Sequence, residues 1–140
     1  MSLIDNSQRL ISQVVYDYLK FYFTPVKMKG KESYQYMYEN ALHLNLGRNV
    51  DHLSYILYLA RQYPYSGVIV KDAKTLRAIK RADVKKGDRS LVPKNVTHSF
   101  QTLPKPVELL IIYEATKLSA RRLGKTLVNW TTEKPLILLG

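Results

Sequence analysis

Between positions 71 and 94 the chain carries Lys71, Lys74, Arg77, Lys80, Arg81, Lys85, Lys86, Arg89 and Lys94, opposed by Asp72, Asp83 and Asp88, a net charge of +6. The chemistry open to such a run is electrostatic. Long cationic side chains presented together hold phosphates, Arg through a two-point fork and Lys as a mobile point charge. At 3.6 residues per turn, Lys74, Arg77, Arg81 and Lys85 gather on one side of a helix expected over residues 73–85, with Leu76 and Ile79 facing inward. A second group, Lys117, Arg121, Arg122 and Lys125, shares a face of a long helix expected over residues 107–129. The candidate nucleic-acid contacts are these two groups together with Lys71, Lys80, Lys86 and Arg89. The bland alternative for each face is ordinary solvated charge.

Other chemistries find little support. The chain has no cysteine, which excludes disulfides, thiolate catalysis and Cys-ligated zinc. Its three histidines, His43, His52 and His98, form no pair at metal-ligand spacing. His43 with Asp51, or His52 with Glu39, would need the fold to bring them together, and a structural role is the simpler reading. No Ser-His-Asp order and no paired carboxylates emerge. The run from Ser119 to Thr126, with Gly124-Lys125-Thr126 at its end, resembles the end of a phosphate-binding loop. The leading glycine is absent, however, and Arg121 and Arg122 occupy the turn. The expectation is a non-enzymatic protein without cofactor or metal.

Composition frames these residues. The 140 residues describe one globular domain with 46% apolar and 24% charged positions. The net charge is +11, unevenly spread: residues 1–66 carry +2 and residues 67–140 carry +9. The first part reads as an assembly half and the second as a polyanion-facing half. Nucleic acid is the expected polyanion, double-stranded DNA ahead of RNA, with an anionic membrane surface as the rival. Eleven tyrosines suit packing edges and protein interfaces. Tyr34, Tyr36, Tyr38, Tyr55, Tyr58, Tyr63 and Tyr65 fall in the less charged half. They offer a surface between protomers or, with less support from interleaved cations, platforms for unpaired bases. No apolar run is long enough for a membrane span, and residues 1–5 lack the pattern of a signal peptide. The expected location is cytoplasmic or virion. The glycosylation-like triplets at Asn95 and Asn129 are therefore read as chance.

Periodicity gives the elements. Leu10, Ile11, Val14, Val15, Tyr18, Leu19 and Tyr22 mark a helix over 5–23, stopped by Pro25. Residues 32–46 fit a helix better than a strand, with Gly47 as its stop. Val50, Leu53, Ile56, Leu57 and Ala60 make a third helix, ended by Pro64. Residues 68–70 are too short to classify, 86–106 read as a long Pro-punctuated loop, and the apolar tail at 136–139 needs cover from its own core or a neighbour.

The expected fold is mostly α, a single-domain bundle of four to five helices with a long Pro-containing loop. The alternative is a small α/β domain with strands at 68–70 and 107–113. The expected function is a repeated structural subunit that coats or packages nucleic acid, binding mainly its phosphate backbone. In this expectation the tail and the exposed tyrosines join adjacent protomers into a homo-oligomer. In size, charge and helicity the chain is similar to small helical coat proteins of filamentous DNA viruses of archaea, and equally to helical small subunits of CRISPR ribonucleoproteins. A DNA-binding transcription regulator and a protein-only interaction module are the remaining alternatives.

Overall fold

A computed structural model describes residues 6–22, 31–45, 52–84, 92–104 and 106–140. The chain runs α1 (Asn6–Phe21), α2 (Lys31–Asn40), β1 (Leu42–Leu44), α3 (His52–Gln62), β2 (Ser66–Ile69), α4 (Ala73–Val84), β3 (Val96–Thr97), β4 (Leu109–Ile112), α5 (Ala120–Leu127) and β5 (Leu136–Leu139). The strands form one parallel sheet in the order β1-β5-β4-β2-β3. The helical-bundle expectation is thereby overturned, and the fold is α/β.

Each central strand is apolar on consecutive residues because helices cover both faces of the sheet. A strand with one wet face alternates polar and apolar, whereas one covered on both sides does not. Leu109, Leu110, Ile111 and Ile112 of β4 are all buried, as are the four residues of β5. The pleat sends alternate side chains into two cores. Val68, Val70, Leu109, Ile111, Ile137 and Leu139 meet Val15 of α1, Ile56 and Leu59 of α3 and Ile79 of α4. Ile69, Leu110, Ile112, Leu136 and Leu138 meet Met37 of α2 and Leu127 of α5. The result is three layers, with α1, α3 and α4 on one face and α2 and α5 on the other.

Three expected elements change. The helix over 107–129 is two elements: β4, then a turn, then the short α5. Glu114, in the left-handed region at φ 56°, turns the chain out of the sheet, and Ser119 caps α5 by accepting from the Arg122 amide. The expected helix over 32–46 ends at Asn40 and gives way to β1. The apolar tail is β5, hydrogen-bonded between β1 and β4 near the middle of the sheet. It occupies its own core, so it has no free surface with which to join a neighbour. The long Pro-punctuated loop also holds structure, since β3 and a 3-10 turn at Phe100–Thr102 interrupt it. Pro25, Gly47 and Lys85 lie outside the described residues.

Two polar groups tie the layers together. The amide of buried Asn95 donates to the carbonyls of Ala60 and Ser66 at 3.1 and 3.0 Å, fastening the end of α3 to the start of β2. Burial leaves that side chain no room for a glycan. Across the sheet, the Tyr18 hydroxyl accepts from the Leu136 amide at 3.2 Å. Its single proton serves the carbonyls of Leu136 and Asn40, at 3.1 and 3.0 Å. Burial pushes the Tyr18 phenol up to about 12, with the hydrogen bond from the Leu136 amide acting in the opposite direction. Tyr18→Phe leaves these backbone groups short of a partner and should cost about 1–2 kcal/mol in chemical denaturation. Because the folded phenol ionises later than the unfolded one, this stabilisation is complete below pH ~10. It fades as pH rises through about 12. The gap between wild type and variant should therefore narrow in strong alkali.

Candidate nucleic-acid interface

The strand order determines where a site can form. The β2–α4–β3 connection leaves the middle of the sheet toward one edge, over one face. The β4–α5–β5 connection leaves toward the other edge, over the opposite face. Between β2 and β4 the chain therefore diverges at the carboxyl ends of two adjacent strands. In open parallel sheets, that switch point is where ligands bind.

A crevice of about 240 Å³ opens at this place. Ile69 and Val70 at the end of β2 and Ile112 at the end of β4 form its base. Lys71, His98, Arg122, Lys125 and Thr126 surround it. The Arg122 guanidinium donates to the Lys71 carbonyl at 2.7 Å, which draws the α5 cation across the seam to the turn after β2. Among the described residues, no carboxylate lies within ion-pair distance of Lys71, Arg122 or Lys125.

Asp72 adjoins the crevice but works as a helix cap. Its carboxylate accepts from the Thr75 amide at 2.7 Å. The amide and hydroxyl of Thr75 hold the Asp72 carboxyl below its ordinary value, with lesser help from Lys71 and Arg122. Asp72→Ala should lower the melting temperature at neutral pH. The cap's contribution is present above the ordinary carboxylate pKa and disappears as pH falls through the depressed one. The two melting curves should therefore converge in acid.

Beside the crevice lies a larger cleft of about 690 Å³, between α2 and α5. Tyr34, Gln35 and Tyr38 form one wall, Leu123, Gly124 and Leu127 the other, and Leu138 contributes from the sheet. His43, Asn45 and Thr116 add polar groups. The His43 Nε2–H donates to the Tyr38 carbonyl at 2.7 Å, and the two rings meet edge to face at 4.8 Å. The sequence suggestion of a His43–Asp51 pair involves Asp51, which lies outside the described residues. Leu118 borders both crevice and cleft, so the two depressions adjoin.

The fold brings only some of the sequence-predicted cations together. Lys71, Arg122 and Lys125 converge on the crevice. Lys74, Arg77 and Arg81 are exposed along α4, which covers the other face of the sheet from α5. The two basic helices therefore cover opposite faces of the sheet. Lys80 borders a separate hollow with Leu76, Pro93 and Lys94. Lys117 pairs with Glu114 at 2.8 Å, and Arg121 is exposed on α5. Lys85, Lys86 and Arg89 lie outside the described residues. Gly124-Lys125-Thr126 sits inside α5 instead of ahead of it, so no wrapped amide loop exists there. His98 at the crevice and His43, Asn45 and Gly124 at the cleft were not among the sequence-predicted site residues. The Tyr34/Tyr38 spacing of four was the one available hint of a shared helix wall.

No protein-family model, no characterised protein and no solved structure matches this chain. Among the described residues, no three His, Cys, Asp or Glu side chains are grouped to hold a metal. No helix among them is long and apolar enough to cross a membrane.

Proposed function

We propose that this protein is a non-enzymatic, RNA-binding α/β domain that serves as a subunit of a ribonucleoprotein. It grips the RNA backbone at the carboxyl end of its sheet. The observation that carries this reading is the convergence of Lys71, Arg122 and Lys125 at the switch-point crevice, with no carboxylate within ion-pair distance among the described residues. A phosphate supplies the missing charge. The excess of +9 on residues 67–140 adds long-range attraction.

Shape favours an unpaired strand over a duplex. A duplex offers its phosphates on a convex surface and suits a protruding basic helix in a groove. The cations here surround a depression, and an aromatic cleft adjoins it. Unpaired RNA loops have bases free to leave the stack and hydroxyls to bond polar rims. A coating role loses two of its supports, the bundle and the free tail. A ribonucleoprotein subunit requires neither.

The test is a titration of three probes at several salt concentrations: a hairpin RNA with an unpaired loop, its fully paired counterpart, and duplex DNA. The loop RNA should bind most tightly, with affinity falling steeply as salt rises. Equal affinity for all three would reduce the protein to a generic polyanion binder. Absence of binding to any would favour the protein-only module.

A further inference from the structure

We infer that the cleft between α2 and α5 is a nucleobase site, which seats the base of a nucleotide whose phosphate lies in the adjoining crevice. This deepens the RNA-binding reading and rests on it for the phosphate contact, but its observations are separate.

The first observation is Gly124. Glycine inside a helix is less favourable than alanine by about 1 kcal/mol. Such a glycine is commonly explained by a close neighbour, yet a Cβ at position 124 would meet no atom within 4 Å. Intramolecular packing therefore does not require glycine here. What its missing side chain does is leave the α5 wall of the cleft open. The second observation is the facing wall, where Tyr34 and Tyr38 stand one helical turn apart. Flat aromatic rings opposite an uncluttered backbone offer a slot for a flat ligand, and base–aromatic stacking is indifferent to sequence. Third, the volume of about 690 Å³ lies within the range of sites for small molecules and cofactors. Fourth, Leu118 lines both depressions, and α5 turns Leu123 and Gly124 to the cleft and Arg122 and Lys125 to the crevice. A single nucleotide unit straddling α5 would present its base to one side and its phosphate to the other. Gln35, His43 and Asn45 supply polar groups for the base edge or ribose.

The base belongs either to an RNA strand or to a free nucleotide, and the experiment separates these sources. The full-length protein and its Gly124→Leu variant are titrated with a short single-stranded RNA, with the same strand made abasic, and with nucleoside monophosphates. Gly124→Leu fills the cleft, and its melting temperature should equal or exceed that of wild type. Wild type should bind the intact strand about tenfold or more tightly than the abasic strand. In Gly124→Leu this preference should vanish, while the salt dependence, set by phosphate contacts, stays the same. Saturable monophosphate binding that Gly124→Leu abolishes would support the site with a free nucleotide as occupant, even if RNA failed to bind. Equal affinity of wild type for intact and abasic strands, with no monophosphate binding, would overturn the base site and leave the RNA-binding reading standing. A base preference that persists in Gly124→Leu would equally overturn it.

Discussion

Removal of residues 135–140 should abolish cooperative folding. An appended tail would tolerate that deletion, but β5 is not appended. It lies between β1 and β4, pairing Leu42 with Ile137 and Ile111 with Ile137 on its two edges. Its four residues, Leu136 to Leu139, supply buried side chains to both cores in turn. Loss of β5 opens the sheet, strands the backbone groups of two neighbours and empties both hydrophobic layers. Domain stabilities are only about 5–15 kcal/mol, and each large aliphatic side chain removed from a core costs about 2–5 kcal/mol. Circular dichroism of the truncated chain should show no sigmoidal thermal transition. A milder variant, Ile137→Ala, should fold with stability reduced by about 2–5 kcal/mol. A truncated chain that melts cooperatively near the wild-type temperature would refute the sheet order.

The second large effect concerns binding and separates location from net charge. Lys71→Glu with Lys125→Glu changes the charge by the same amount as Arg77→Glu with Arg81→Glu. Both pairs are exposed, so both double variants should fold. The first pair lies at the crevice and the second along α4, on the other face of the sheet. Each lost phosphate contact with a single strand should lower the slope of log affinity against log salt by about 0.7. The crevice variant should therefore lose about 1.4 in slope, and its affinity for loop RNA should drop more than about tenfold at low salt. The α4 variant should fall only by the shallower effect of altered long-range potential. Equal losses in the two variants would show that binding follows total charge, with no site at the switch point.

The sequence made the helices legible where one face is wet. Val15, Tyr18 and Leu19 in α1, and Ile56, Leu59 and Ala60 in α3, repeat at helical intervals because only one side of each helix meets the core. Asp72 marked the start of α4 for a local reason, a short acceptor side chain three residues before the amide it serves. The strands were legible only as the alternative, at 68–70 and 107–113, for the opposite reason. Leu109 to Ile112 is buried on both faces, so it shows no alternation, and a continuous apolar run joins readily to a following helical pattern. Leu136 to Leu139 read only as an apolar tail in need of cover, because one of its partners, Leu42 to Leu44, lies in the first third of the chain.

The site was half legible for the same reason. Lys71, Arg122 and Lys125 stood out by charge, but charge alone did not separate them from Arg77 and Arg81. The distinction depends on α4 and α5 covering opposite faces, a consequence of strand order that no local window contains. The tyrosine wall carries a four-residue spacing, whereas its facing wall is marked by Gly124, a residue that local propensity reads only as a weakness. Residue type thus announced the basic character, and topology decides which cations share the crevice.

The most direct test of the central claim is an amide-resolved NMR titration of the full chain with a short loop RNA at moderate salt. Perturbations should concentrate at Lys71, at His98 and over residues 116–126, and extend to Tyr38 and His43. Perturbations confined to the outer surface of α4, around Arg77 and Arg81, or spread evenly over all surface cations, would contradict a binding site at the carboxyl end of the sheet.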